Sequence, residues 1–235
     1  MPDIKGNMAT NTGKKARRNR EDSYDNTESF KEVKPINYIQ EAYLNAIKHN
    51  SIVFGIGSAG TGKTFIPAAY AASELYHKRI EKIIITRPNI EVGRSLGFLP
   101  GTLDEKFLPY LKPFEKVFRR FLSNGFYEYA LKTKAIDPQP LGFMRGETFS
   151  ENCIVLVDEA QNINAVEMKM LLTRIGHNCK MIFSGDTSQA DIHDSGLEDA
   201  ADRLETIDGV EIVEFLDSDI VRSKICKQII LAYNK

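Results

Sequence analysis

Five short apolar runs punctuate the chain: SIVFGI (51–56), EKIIIT (81–86), NCIVLVD (152–158), CKMIFSGD (179–186) and VEIVEF (210–215). Each is rich in β-branched residues and nearly continuously apolar. That is the pattern of a strand buried on both faces of a parallel sheet, not of a strand with one wet face. Between them the period becomes helical, over Lys63–His77, Ala165–Ile175 and Gly196–Thr206. A last helix is predicted from Asp219 to Tyr233, with Ile220, Val221, Ile225, Ile229 and Ile230 as a stripe facing the core. Strand and helix in alternation predict right-handed crossovers and an open three-layer α/β sheet. The stretch Thr102–Phe149, rich in aromatic residues and proline, breaks the alternation and reads as a helical insertion between the second and third strands.

Two segments fit neither period. RPNIEVGRSLGFLPG (87–101) follows the second strand as a long loop punctuated by proline, glycine and arginine. Met1 to Ser29 is polar and nearly free of aliphatic residues, so residues 1–29 are expected to form a disordered tail and 30–235 a single domain. The tail carries GKKARRNR (13–20), five cations in eight residues. Such a run can touch nucleic-acid phosphates or remain solvated.

Composition adds limits rather than chemistry. With 42% hydrophobic and 27% charged residues, the 235-residue chain can bury a sizeable core. No apolar run approaches a membrane span and no hydrophobic block follows the N-terminal cations, so a soluble, cytoplasmic protein is expected. Cys153, Cys179 and Cys226 form no C-x-x-C pair and are read as structural rather than metal-binding.

The chemistry begins after the first strand. GSAGTGKT places Gly57, Ser58, Ala59, Gly60, Thr61, Gly62, Lys63 and Thr64 between a strand and a helix, the setting that a phosphate-binding G-x-x-x-x-G-K-T loop requires. Small residues let backbone N–H groups turn towards phosphates, and the helix start adds a positive dipole end. Lys63 can reach the β- and γ-phosphates, and the Thr64 hydroxyl can ligate Mg²⁺. ATP and Mg²⁺ are therefore the expected cofactors.

The third apolar run ends in VDEAQN, with Asp158 and Glu159 at the carboxyl end of a buried strand, where ligands of open α/β sheets bind. Asp158 is placed to hold Mg²⁺ and Glu159 to polarise an attacking water. The fourth run ends in GDTSQ, which sets Gln189 where a neutral amide can sense the γ-phosphate. These motifs together resemble the first RecA-like domain of superfamily 1 helicases. With TRPNIEVGRSLGFLPGTLDEKFLPYLKPF (86–114) and FMRGETF (143–149), residues 35 to 235 resemble the PhoH family of P-loop ATPases.

That resemblance implies a three-layer RecA-like P-loop NTPase, an ATPase with RNA or single-stranded nucleic acid as partner, and a helicase-like use of it. It implies adenine selection by Gln40 and nucleic-acid contacts by Arg87 and Arg94, although Arg87 pairing with Glu91 is the structural alternative. Superfamily 1 motors close two domains on ATP and take an arginine from the second, whereas this chain has room for one. A neighbouring subunit would then supply it, in a homo-oligomer, a hexameric ring by resemblance. Arg222 is the first candidate for that arginine, with Arg145 the second and also a nucleic-acid contact. Two other classes stay open: a P-loop kinase with a small-molecule acceptor, and a nucleotide-dependent module that does not hydrolyse.

Overall fold

The apolar runs become strands whose ends match the predicted bounds to within a residue. In a computed structural model, residues 31–88, 103–144, 146, 148–149 and 152–233 are described. The first half of the chain forms α1 (Tyr38–His49), β1 (Ile52–Gly57), α2 (Phe65–Tyr76), β2 (Lys82–Thr86), α3 (Leu103–Phe121), α4 (Asn124–Lys132) and β3 (Ile136–Pro138). The second half forms β4 (Cys153–Val157), α5 (Ala165–Leu172), β5 (Lys180–Gly185), α6 (Leu197–Leu204), β6 (Val210–Phe215) and α7 (Lys224–Tyr233). The predicted tail, Arg94 and Arg145 lie outside the described residues.

All strand pairings are parallel, and the six strands run in the order β3-β2-β4-β5-β1-β6. Successive side chains of a strand point to opposite faces, and here both faces are covered. Val53, Ile83, Ile85, Ile154 and Leu156 pack with α1 to α4; Phe54, Ile84, Val155, Met181 and Phe183 pack with α5 and α6. That double burial is why the strands read as unbroken apolar runs. Asn37, Ser123 and Asn164 start α1, α4 and α5 by accepting a bond from a backbone N–H of the first turn. Cys153 and Cys179 are buried with their sulfurs 3.1 Å apart, while Cys226 is half-buried.

Two expectations change. The predicted insertion is a two-helix crossover that delivers an extra strand: β3 pairs with the free edge of β2, Ile83 opposite Ile136. Three residues ending on a proline carry no readable period. The last helix, moreover, begins at Lys224 and does not present its stripe to the core. Ile220 is buried ahead of it, but Val221, Ile225 and Ile229 are 42%, 64% and 52% exposed. Helical spacing tells which residues share a face and is silent about what covers that face.

Register fixes the geometry that matters for function. Thr86 lies opposite Val157, Val157 opposite Phe183 and Ile56 opposite Gly185. The carboxyl ends of β2, β4, β5 and β1 are therefore level. The chain leaves β1 towards β2 and returns to flank β1 with β5 and β6, so these ends border the crevice where the strand order reverses.

Candidate active site

Residues 57–64 form a turn between β1 and α2 that is gripped from outside. Gly57 has φ +136°, and a Cβ there would run into the Phe215 carbonyl at the end of β6. Gly62, at φ +105°, would bring a Cβ within 2.6 Å of Gln40 Nε2. Only glycine meets both demands. Three further bonds close the grip: Ser58 Oγ donates to Asp217, Val221 N donates to Gly60 O at 3.0 Å, and Gln40 Nε2 donates to Thr61 O at 2.8 Å.

Lys63 is curled onto this turn, its Nζ donating to the carbonyls of Gly57 and, at 2.6 Å, Ser58. Burial lowers its pKa to about 8, opposed by the charges of Asp186, Asp158 and Glu159. A cation surrounded by carbonyls and carboxylates is well placed to take phosphate oxygens as ligands. Thr64 does not cap α2; its hydroxyl donates instead to Asp158 Oδ1 at 3.0 Å. The two oxygens, one at the start of α2 and one just past the end of β4, form a hard donor pair, which suits Mg²⁺ held in part by phosphates and water. Among the described residues no cluster of three or more His, Cys, Asp or Glu could cage a metal unaided. Burial, and secondarily the charge of Glu159, raises the Asp158 pKa. A divalent cation beside it would relieve both.

Glu159 follows in a left-handed conformation, φ +53° and ψ +40°. Non-glycine residues adopt that region at a cost, and such residues concentrate at functional sites. Its Oε1 lies 3.2 Å from Arg87 Nη2, and its Oε2 accepts from Gln161 Nε2 at 2.6 Å. Gln161 is buried and its Oε1 accepts from Asp186 N at 3.1 Å. Asp186 in turn accepts from Gln189 Nε2 at 2.7 Å. A continuous polar chain thus joins the ends of β2, β4 and β5.

A cavity of about 670 Å³ is lined by Gln40, residues of the 57–64 turn, Asp158, Glu159, Asp186, Gln189 and Arg222. Of the described site residues, Gly57, Ser58 and Thr61 stand behind this lining as part of the turn, and Arg87 reaches it through Glu159. Arg87 takes Glu159 as partner; Glu91, the alternative suggested by the sequence, is outside the described residues. Gln40 is buried with both ends of its amide engaged, since Oε1 also accepts from Ile36 N at 3.1 Å. What that amide holds is the turn. Arg222 lies against the turn of its own chain: a Cβ on Gly60 would come within 2.7 Å of its Cγ.

Several residues at the site escape sequence reasoning. Gln161 sits in a motif that the sequence singles out, but its bridging role depends on β5 lying beside β4. Asp217 is 159 residues from Ser58. Lys34, Lys116 and Arg120 add cations to the cavity lining, and Arg120 also lies over the Phe65 ring at 5.7 Å. No local signal marks them.

The model of the PhoH-like protein family matches residues 32–234. Protein PhoH of Escherichia coli (strain K12) is 44% identical over 203 residues, covering 84% of this chain and 57% of that protein. A PhoH-like protein of Bacillus subtilis (strain 168) is 44% identical over 199 residues, covering 83% and 62%. One from Mycobacterium tuberculosis (strain ATCC 25618 / H37Rv) is 43% identical over 206 residues, covering 86% and 58%. The chain therefore spans about three-fifths of the length of these relatives. Among solved structures, the large terminase of a thermophilic bacteriophage superposes with a TM-score of 0.51 at 12% identity, over 83% of this chain and 50% of the terminase. That likeness is one of fold.

Proposed function

This chain belongs to the PhoH family and has a P-loop NTPase fold, and from its cavity we propose that it binds ATP with Mg²⁺ and hydrolyses it under the control of RNA or single-stranded nucleic acid. The observation that carries hydrolysis is the placing of Glu159 beside the Thr64–Asp158 pair, in the cavity that also holds Lys63. Backbone N–H groups of the 57–64 turn and Lys63 hold the phosphate chain. Thr64 and Asp158 would hold Mg²⁺, which when bound neutralises charge on the phosphates. A water oxygen then bonds to the γ-phosphorus as the bridging P–O bond to ADP breaks. Glu159 takes the proton of that water, and inorganic phosphate leaves. Arg222 lies beside Gly60 of its own chain, where its charge can reach the phosphates, and a further arginine from a neighbouring subunit belongs to the oligomer reading.

Nucleic acid as partner is supported by the position of Arg87 at the end of β2, partly exposed and next to the hydrolytic carboxylate. Helicase-like remodelling is a use to which such a cycle can be put. A homo-oligomer is supported by the uncovered stripe Val221, Ile225 and Ile229, and the six-membered form is what the family resemblance implied. Native mass in solution tests it, and a monomer would remove it. Among the described residues no helix is long and apolar enough to cross a membrane.

Phosphate release tests the reading, measured with and without single-stranded RNA in wild type and Glu159→Gln. Release by the wild type, lost in Glu159→Gln with ATP binding retained, is expected. No release unless a small acceptor is added would replace hydrolysis with a kinase reaction. Nucleotide binding with no turnover at all would leave a non-hydrolysing module.

A further inference from the structure

Both oxygens of the Glu159 carboxylate are occupied, one by Arg87 and the other by Gln161. Held from both sides, the carboxylate is fixed in one orientation between the end of β2 and the turn after β4. To turn an oxygen towards a water in the cavity, Glu159 has to give up one partner. The two partners differ in how easily they leave. Gln161 is buried and anchored on its other side by Asp186 N at 3.1 Å. Arg87 meets the carboxylate at 3.2 Å, in a pair whose side chains are 29% and 35% exposed.

Their proximity is built into the sheet. Thr86 and Val157 are register partners on β2 and β4, and Asp158 N donates to Thr86 O at 3.0 Å. The residues that follow these strands emerge side by side whatever the surface loops do. We propose that Arg87 is a positioning residue that restrains Glu159, and that a nucleic-acid phosphodiester switches hydrolysis on by taking Arg87 as its own partner. The inference rests on the reading of Glu159 as the hydrolytic base.

The energetics suit an exchange. A partly exposed ion pair gains little against water and salt, whereas a phosphodiester can accept two parallel bonds from a guanidinium. The arginine moves from a weak partner to a stronger one, and an oxygen of Glu159 becomes available on the cavity that holds Lys63 and Asp158. Nucleic-acid binding and ATP turnover are then coupled through one side chain, with no rearrangement of the sheet.

The test is steady-state phosphate release by wild type, Arg87→Ala, Arg87→Lys and Glu159→Gln, with and without single-stranded polyuridine RNA. Removing the restraint should raise the RNA-free rate of Arg87→Ala about five-fold or more, the lower end of ordinary coupling between sites. RNA should then add less than about two-fold. Arg87→Lys, which keeps the charge, should restore a slow RNA-free rate and part of the RNA response. ATP affinity unchanged in Arg87→Ala shows that the site is intact. An RNA-free rate at or below the wild-type value in Arg87→Ala, with RNA still stimulating the wild type, overturns the exchange alone. Full turnover in Glu159→Gln, or a wild-type rate indifferent to RNA, instead removes the parent reading.

Discussion

The two halves of the active site are held by different means. The 57–64 turn is clamped by β6, by the strap that follows β6 and by α1, through Gly57 on Phe215, Gly60 on Val221 and Arg222, and Thr61 on Gln40. Most of those contacts are backbone or buried. Glu159, in contrast, sits in a costly backbone region and is held by a partly exposed ion pair and an amide. Under the proposed function the difference is a division of labour: the phosphate platform is fixed before the nucleotide arrives, and the proton acceptor is left adjustable. Pre-formed donors cost no reorganisation during reaction, whereas a regulated step needs a group that can change partners. Changes on the platform should therefore move stability and affinity together, and changes around Glu159 should move turnover and spare affinity.

The strongest way to break the platform is Gly57→Ala. The new Cβ would meet the Phe215 carbonyl, and φ +136° is unfavourable for any residue with a side chain. Either the turn or the end of β6 has to shift. We expect a loss of about 3 kcal/mol or more in unfolding free energy, as for strain combined with overpacking. Nucleotide affinity should fall with it. Chemical denaturation with and without ATP measures both. A variant that keeps wild-type stability would mean that the turn is looser than the contacts with β6 imply.

How much of this division is legible in the sequence depends on distance along the chain. The turn, Asp158 and Glu159 are local patterns at the ends of strands that announce themselves by double burial, so both position and chemistry can be read. The clamp cannot: Ser58 meets Asp217 and Gly57 meets Phe215 only because β6 lies beside β1. Likewise sequence proximity offers Arg87 only Glu91, and the pairing with Glu159 comes from the β2–β4 neighbourhood, which no local pattern announces. Strand order is set by the crossovers, which leave no periodicity behind. α7 is the reverse case, where the period of Ile225 and Ile229 is present but the core it was expected to meet is not.

Gln40 offers a sharper cut. If its amide reads adenine, Gln40→Ala should abolish discrimination between ATP and GTP and leave stability nearly intact. The bonds from Gln40 Nε2 to Thr61 O and from Ile36 N to Gln40 Oε1 lead to another expectation. Stripping a buried side chain from both backbone groups should cost about 1–3 kcal/mol. Affinity for ATP, ADP and GTP should fall in parallel, because the turn that holds their common phosphates has lost a support. Binding titrations with the three nucleotides, alongside thermal unfolding, decide between the roles. A selective loss for adenine nucleotides at unchanged melting temperature would return Gln40 to base recognition.

The smallest expected effect falls on the adjustable side, at Gln161. Gln161→Leu keeps the volume and removes both bonds, to Glu159 Oε2 and from Asp186 N. The buried amide N–H of Asp186 loses its acceptor, which costs about 1 kcal/mol in stability. Nucleotide affinity should stay within about two-fold of wild type, since no platform contact is touched. Turnover should fall by about ten-fold, the change that about 1.4 kcal/mol at the transition state produces, because Glu159 is no longer oriented on the side away from Arg87. If the comparison between the two halves holds, Gln161→Leu and Gln40→Ala separate cleanly, one in turnover and the other in affinity. Equal losses of both quantities in both variants would mean that the polar chain from β2 to β5 and the clamped turn behave as one unit. The partner exchange at Arg87 would then have to move the platform as well.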